Sequence, residues 1–374
     1  MYFKISRNEL QNAMSIVSKA ISSNSPIPSL MGIKFDVYSD RLELIGSDYN
    51  FTIKNTIKKS DDFVYEVYRE GSVVINRNYI NEIVRKIDND IIEFEIMDGF
   101  LTRISGNQAE FNINGISPSE YPLIDLSRPQ KEFFIDTNHL ITTINQTHFA
   151  ASIKETRPAL TGINLNCEEG KLKCVATDSF RLAKKEISID CEYPFNITIP
   201  SKSMLEISKI IEPNNTIVIA LSEKKAQFIC KDIIIETRII DESYPDTSRL
   251  VPSVFEHELI IDIKELLIAI DRQSLIKNES DTFSIIKLSM NNSEVIMSSK
   301  SQEIGYSKEK LNFTSYTGDL LELSFSSKYM IDALKGITGT TAKISFCGEM
   351  KPFVISSSED NSTLQLVLPV RTFS

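Results

Sequence analysis

Three eight-residue stretches align without gaps: Phe3-Lys4-Ile5-Ser6-Arg7-Asn8-Glu9-Leu10, Phe133-Phe134-Ile135-Asp136-Thr137-Asn138-His139-Leu140 and Leu259-Ile260-Ile261-Asp262-Ile263-Lys264-Glu265-Leu266. Each reads as a short strand, then Ser or Asp at the helix-capping position, then the first turn of a helix. Ile5, Ile135 and Ile261 hold one equivalent place, 130 and 126 residues apart. A second set recurs at the same period: Ile75 to Ile87, Ile199 to Ile211 and Phe325 to Ile337, with spacings of 124 and 126. Each passes from a strand end through a polar cap into an amphipathic helix. Its core stripe is Ile80, Ile83, Val84 and Ile87 in the first copy. The second copy has Met204, Ile207, Ser208 and Ile211, and the third Met330, Ala333, Leu334 and Ile337.

Strand-like segments fill the interval between the two helices. Gly32–Phe35, Gly162–Leu165 and Ile285–Leu288 are equivalent, as are Leu42–Ile45, Leu172–Val175 and Glu294–Met297. More alternating segments follow the second helix, such as Ile91–Ile96 and Thr216–Ala220. Two copies close on Tyr121-Pro122 and Tyr244-Pro245, the third on Leu368-Pro369-Val370. Self-similarity at one fixed period signals a triplicated fold. The expected architecture is α+β, with three domains of two helices and about eight strands each, the helices packed on antiparallel sheets. The domains are 1–126, 127–252 and 253–374.

Composition fits this reading. Of 374 residues, 41% are hydrophobic and 25% charged, so the chain can bury a globular core. No apolar run approaches the ~18 residues of a membrane helix, and the N-terminus has no apolar signal segment. A cytoplasmic protein is expected. The five cysteines are odd in number and lack CxxC spacing, which favours reduced, mostly buried thiols over structural zinc. A net charge of −10 opposes general adhesion to nucleic acid, so any DNA-facing basic residues must be segregated on one surface.

Opposite the core stripe of each second helix runs a basic column, Arg85, Lys209 and Lys335, with Lys202 nearby. Lys19 lies opposite Leu10, Met14 and Val17 on the first helix. One reading is a solvated face braced by Glu82–Arg85, Glu206–Lys209 and Asp332–Lys335 pairs. The other is that triplication lines up these cations toward a phosphate backbone. Leu275, beside Ile276, is apolar on an outer face and marks either surface scatter or a subunit contact.

Catalytic signatures are missing. There is no GxGxxG, GxxxxGK[ST], HExxH or GxSxG, and only three histidines. Asp61-Asp62 and Asp88-Asn89-Asp90 read as solvated turns. Ala176-Thr177-Asp178-Ser179-Phe180-Arg181-Leu182 reads as a strand-to-strand turn in which Asp178 bonds its own backbone. Asp48 holds the same place in the first repeat. No catalytic residue, metal site or cofactor is expected; a metal-dependent nuclease or hydrolase using the acidic turns is the runner-up from another class.

Several stretches together resemble the β subunit of bacterial DNA polymerase III, the sliding-clamp family. They are Ser47-Asp48, Glu155-Thr156-Arg157-Pro158-Ala159-Leu160-Thr161-Gly162, Ala176 to Ala183, Tyr244-Pro245-Asp246 and Leu368-Pro369-Val370-Arg371-Thr372. The resemblance covers the whole chain. It implies a DNA-clamp fold closed into a ring as a head-to-tail homodimer, with helices lining the hole. Such a ring encircles duplex DNA without reading sequence and confers processivity on the replicative polymerase. It also implies a linear-peptide pocket for the polymerase III α subunit, the clamp-loader δ subunit, and other polymerases and repair proteins. Carried over by motif, that pocket comprises Leu160, Thr177, Arg181, Leu182, Pro245, Arg249, Leu250, Tyr329, Met350, Val367, Pro369, Val370 and Arg371. Phe180 stands where the family usually has His. Phe111, Leu275 and Ile276 match subunit-contact positions, and Lys19, Arg85, Lys154, Lys202, Lys209 and Lys335 match the hole lining. A repair-dedicated paralogue of the clamp remains an alternative.

Overall fold

The computed structural model describes residues 1–279 and 282–371; Thr372, quoted above, lies outside them. Six α-helices occur among the described residues, two per repeat: α1 (Arg7–Val17), α2 (Arg77–Lys86), α3 (Thr137–Thr147), α4 (Ser201–Ile210), α5 (Ile263–Ser274) and α6 (Ser327–Lys335). Among the described residues the strands number nine, eight and nine in the three repeats. The octets form the expected strand-to-helix junctions, but their caps differ. Asp262 Oδ1 accepts the Glu265 N–H at 2.8 Å, as a capping residue should. Ser6 does not cap α1; its Oγ accepts the Val64 N–H at 2.9 Å. The helix stripes are buried where expected: Ile80, Ile83 and Val84 on α2, and Met330, Ala333 and Leu334 on α6. On α4, Ser208 is only half-buried and Ile210 is buried beyond it, since a hydroxyl gains little from the core.

The strands pair in antiparallel sheets that gather into two compact units. One is Met1–Thr137 with Lys209–Ile239; the other is Asn138–Ser208 with the chain from Ile240 onward. This division runs through the middle repeat because the large sheets are shared between repeats. In the first unit, Gly71–Asn76, Gly32–Val37, Arg41–Ser47 and Phe51–Lys58 form half of an eight-stranded sheet. Ile233–Arg238, Lys225–Cys230, Thr216–Leu221 and Lys131–Asp136 complete it from the second repeat. The halves join at a seam where Ile53 faces Ile235 and Phe51 faces Thr237. A five-stranded sheet accompanies it, ending on the edge strand Ala109–Asn114.

The second unit repeats the scheme. Arg181–Ser188 of the second repeat joins Thr363–Val367 of the third, with Arg181 facing Val367 and Ala183 facing Gln365. The nine-stranded sheet so formed is accompanied by a four-stranded sheet with the edge strand Gly305–Leu311. The third-repeat core packs α5 and α6 onto both sheets through Leu266, Ile270, Phe325, Leu334, Phe353 and Val367. Cys167, Cys174, Cys230 and Cys347 are buried free thiols and Cys191 is half-buried. No described helix is long and apolar enough to cross a membrane.

Candidate functional site

The Asp178-Ser179-Phe180 turn organises one end of the second seam. Ser179 takes a left-handed φ of 77°, which bulky residues avoid. Asp178 Oδ1 holds the turn by accepting the Phe180 and Arg181 N–H groups at 2.9 and 3.0 Å. The first repeat uses the same device: Tyr49 has φ 80°, and Asp48 accepts from Asn50 and Phe51. Both aspartates are therefore architectural. Thr177 Oγ1 donates to the Arg181 carbonyl at 2.6 Å.

Arg181 is buried and fully engaged. It meets Asp178 Oδ2 at 3.0 Å and Asp332 Oδ2 at 2.6 Å. Its guanidinium sits 4.5 Å from the Tyr329 ring centroid and 5.6 Å from that of Phe149. Asp332 is thus committed to Arg181, and the Asp332–Lys335 pair expected on the helix face gives way to a buried contact. Burial pushes the Tyr329 phenol up, with the Asp178 charge adding to it. The chain end is tied down beside this cluster: Leu368 N–H donates to the Phe180 carbonyl at 3.0 Å and Val370 N–H to the Ser324 carbonyl at 2.7 Å.

Alternation along a strand sends neighbouring side chains to opposite faces. Arg181 and its partner Val367 accordingly face the helices, and Val367 is wholly buried in the third-repeat core. Val367 can shape a groove from beneath but offers it no surface. Leu182 and its partner Leu366 face the other way, in an apolar cluster with Val175 and Val354 that Tyr244, Val251 and Leu364 cover. A cavity of about 420 Å³ opens there, with Leu182 and Pro245 in its lining. Leu160 is buried, Arg249 and Arg371 are exposed, and Tyr329, Pro369 and Val370 are half-buried. Leu250 and Met350 stand half out in solvent. Val175, Tyr244, Val251, Leu364 and Leu366 were not among the expected residues; strand alternation could have found Val175, Leu364 and Leu366, whereas Tyr244 and Val251 lie in irregular chain with no periodic signal.

The basic residues belong to several elements. Arg85, Lys202, Lys209 and Lys335 are exposed on α2, α4 and α6. Arg85 bonds Glu82 at 2.6 Å, the expected intrahelical pair. Two others are not on helices: Lys154 lies in the exposed loop after α3, and Lys19 in the 3₁₀ turn after α1. Lys19 Nζ donates to the Lys209 carbonyl at 3.0 Å. Phe111 lies on the edge strand of the first unit, half-exposed; Leu275 caps the C-terminus of α5 and is 72% exposed, with half-buried Ile276 next to it. Among the described residues, no group of three or more His, Cys, Asp or Glu side chains could hold a metal ion.

Three copies of one α+β unit, joined by shared sheets, define a clamp-type scaffold. Family models describing the N-terminal, central and C-terminal domains of the DNA polymerase III beta subunit match residues 1–125, 134–246 and 248–371. The chain belongs to the DNA polymerase III beta subunit family, the beta sliding clamps. It is 39% identical over 379 residues to the beta sliding clamp of Bacillus subtilis (strain 168), covering 100% of both chains. It is 36% identical over 377 residues to that of Staphylococcus aureus (strain N315), again over 100% of both. The solved DNA polymerase sliding clamp of Bacillus subtilis superposes with TM-score 0.95 at 37% identity over 100% of both chains. The DNA polymerase III beta chain of Streptococcus pneumoniae TIGR4 gives TM-score 0.95 at 29% identity, over 99% of this chain and 100% of that one.

Proposed function

We propose that two copies of this chain close head to tail into a ring around duplex DNA. As a non-catalytic clamp in the cytoplasm, the ring would tether the replicative polymerase, its clamp loader and repair proteins. The observation that carries this reading is an incomplete sheet plan. Two seams join half-sheets within the chain, Phe51–Lys58 with Ile233–Arg238 and Arg181–Ser188 with Thr363–Val367. A third pair of half-sheets ends on Ala109–Asn114 and Gly305–Leu311, edge strands that pair with no other strand of the chain on their outer side among the described residues. Unpaired edges invite strand addition, and a second copy satisfies both at once with closed symmetry.

The repeats also supply a register. Ala109–Asn114 matches Ile233–Arg238: both follow two-residue turns whose first residues, Asn107 and Lys231, have φ 53° and 52°. Gly305–Leu311 matches Phe51–Lys58, since Val295 pairs with Leu311 as Leu42 pairs with Ile57; this corrects by one residue the sequence alignment of Leu42 with Glu294, because the buried positions Leu42 and Val295 are the equivalent ones. Phe111 thus takes the place of Ile235, and Ser307 that of Ile53.

A ring that holds DNA by topology needs only weak phosphate contacts, which is compatible with a net charge of −10. Lys19, Arg85, Lys154, Lys202, Lys209 and Lys335 would supply them. The second-unit groove would take short peptides, its apolar face accepting aliphatic or aromatic anchors. The test is retention on nicked circular DNA before and after linearisation. Loss of the loaded protein on linearisation is expected; equal retention on both forms would refute topological binding.

A further inference from the structure

The two in-chain seams have the same backbone plan but very different locks. Across the second, Lys185 Nζ donates to Asp360 Oδ2, Ser362 Oγ and Thr363 Oγ1 at 2.8, 2.7 and 2.9 Å. Thr363 Oγ1 reaches Gln146 Oε1 at 3.0 Å. Gln365 Nε2 donates to the Gln146 and Gly336 carbonyls at 3.0 and 3.1 Å. This network is buried; the Lys185 and Asp360 side chains are 9% and 20% exposed.

Across the first seam a turn carboxylate again meets a lysine, Asp232 with Lys58 at 2.6 Å, but these side chains are 43% and 69% exposed. The Lys19 bond to the Lys209 carbonyl is likewise exposed. Both seams border a cavity of similar size, about 450 Å³ at the first, lined by Ile57, Cys230 and Ile235 among others, and about 420 Å³ at the second, lined by Leu182, Lys184 and Leu364 among others, so the difference lies in the side-chain locks. A solvent-screened ion pair holds weakly. A buried network in which the Lys185 ammonium has three acceptors holds more firmly, although Gln365 Oε1 has no hydrogen-bond partner among the described residues.

We propose that the first seam is the compliant joint of each subunit and the second the rigid one, so that strain from opening the ring is taken up between Phe51–Lys58 and Ile233–Arg238. This assignment rests on the ring reading for its purpose, though the asymmetry itself belongs to the single chain.

The test is hydrogen–deuterium exchange with mass spectrometry on the full-length protein as it assembles. Peptides covering residues 51–58 and 233–238 are expected to exchange at least about tenfold faster than those covering 181–188 and 363–367, as local opening energies differ. Lys185→Met should speed the second seam and leave the first unchanged; Lys58→Ala should leave both unchanged. Should Lys185→Met fail to fold, the wild-type comparison decides alone. Equal protection of both seams, or faster exchange at the second, would overturn the assignment. If loaded protein survives linearisation of the DNA while the exchange asymmetry is observed, the ring reading fails and the compliant seam stands.

Discussion

The predicted subunit seam can be broken at two residues and read at a third. Fully burying an exposed large apolar side chain contributes about 1.5–3 kcal/mol. Scaled by exposures of 72% for Leu275 and 37% for Phe111, burial is worth about 1–2 and about 0.5–1 kcal/mol. Their sum is about 2–3 kcal/mol per interface, and the ring has two interfaces, so Phe111→Ala with Leu275→Ala should cost the dimer about 3–6 kcal/mol. That weakens the dimer Kd by about two to four powers of ten. Sedimentation velocity from nanomolar to micromolar protein would measure it, with circular dichroism confirming the fold. Charged residues in place of both Leu275 and Ile276 should give folded monomers. The register is tested by Phe111→Cys with Ser307→Cys: under mild oxidation the two positions should cross-link between subunits into a closed covalent dimer. A dimer Kd unchanged by the alanine pair would refute the interface. A dimer that persists without cross-linking would refute the inferred register.

Four other outcomes are expected. Asp360→Ala strands the Lys185 ammonium in a site 9% exposed, so the second unit should lose about 3–5 kcal/mol in chemical unfolding; a loss under 1 kcal/mol would contradict the network's role. Burial alone would raise the Asp360 carboxyl, but Lys185 and Ser362 outweigh it and hold the group well below the usual carboxylate range. Its contribution is therefore complete above the unfolded value of about 4 and lost as pH falls below it, so acid unfolding should be steeper for wild type than for Asp360→Asn. Deleting residues from Pro369 onward should abolish binding of a labelled polymerase-tail peptide in fluorescence anisotropy while the dimer survives, and Met350→Ala should weaken it less; unchanged affinity in the truncation moves the site elsewhere. Alanine at Lys19, Arg85, Lys154, Lys202, Lys209 and Lys335 together should lower the salt dependence of DNA binding, by about 0.9 in log–log slope per lost phosphate contact, whereas single changes act weakly; an unchanged slope would refute the basic lining.

The triplication was legible because it rests on local signals, an apolar period switching from two to 3.6 at Ile5, Ile135 and Ile261. Asp178 and Asp48 were readable as turn-holders because their bonds reach only two and three residues along the chain. What periodicity could not supply was partnership across long separations. Nothing local in Asp332 distinguishes Lys335, three residues on, from Arg181, 151 residues back, and the buried partner won. Val367 reads as one more apolar strand residue; whether it walls a groove or a core depends on which face its strand turns to Arg181. Lys154 lies off the helices because α3 ends at Thr147 and the 3₁₀ turn after it at Ala150, beyond which the Ser152 Oγ accepts the Lys154 N–H.

The shared sheets also impose an order on synthesis. Asn55 cannot meet Ile233 until 178 further residues have been made. At about 5–20 residues per second, that is roughly 10–35 seconds during which Phe51–Lys58 presents an unpaired edge on the ribosome. Lys54 and Lys58 lie on that strand, and lysines on an exposed edge discourage pairing with the wrong chain. The nascent first repeat is thus a half-built sheet waiting for its neighbour, and severing the chain between repeats would leave each piece with an edge that no part of itself can cover.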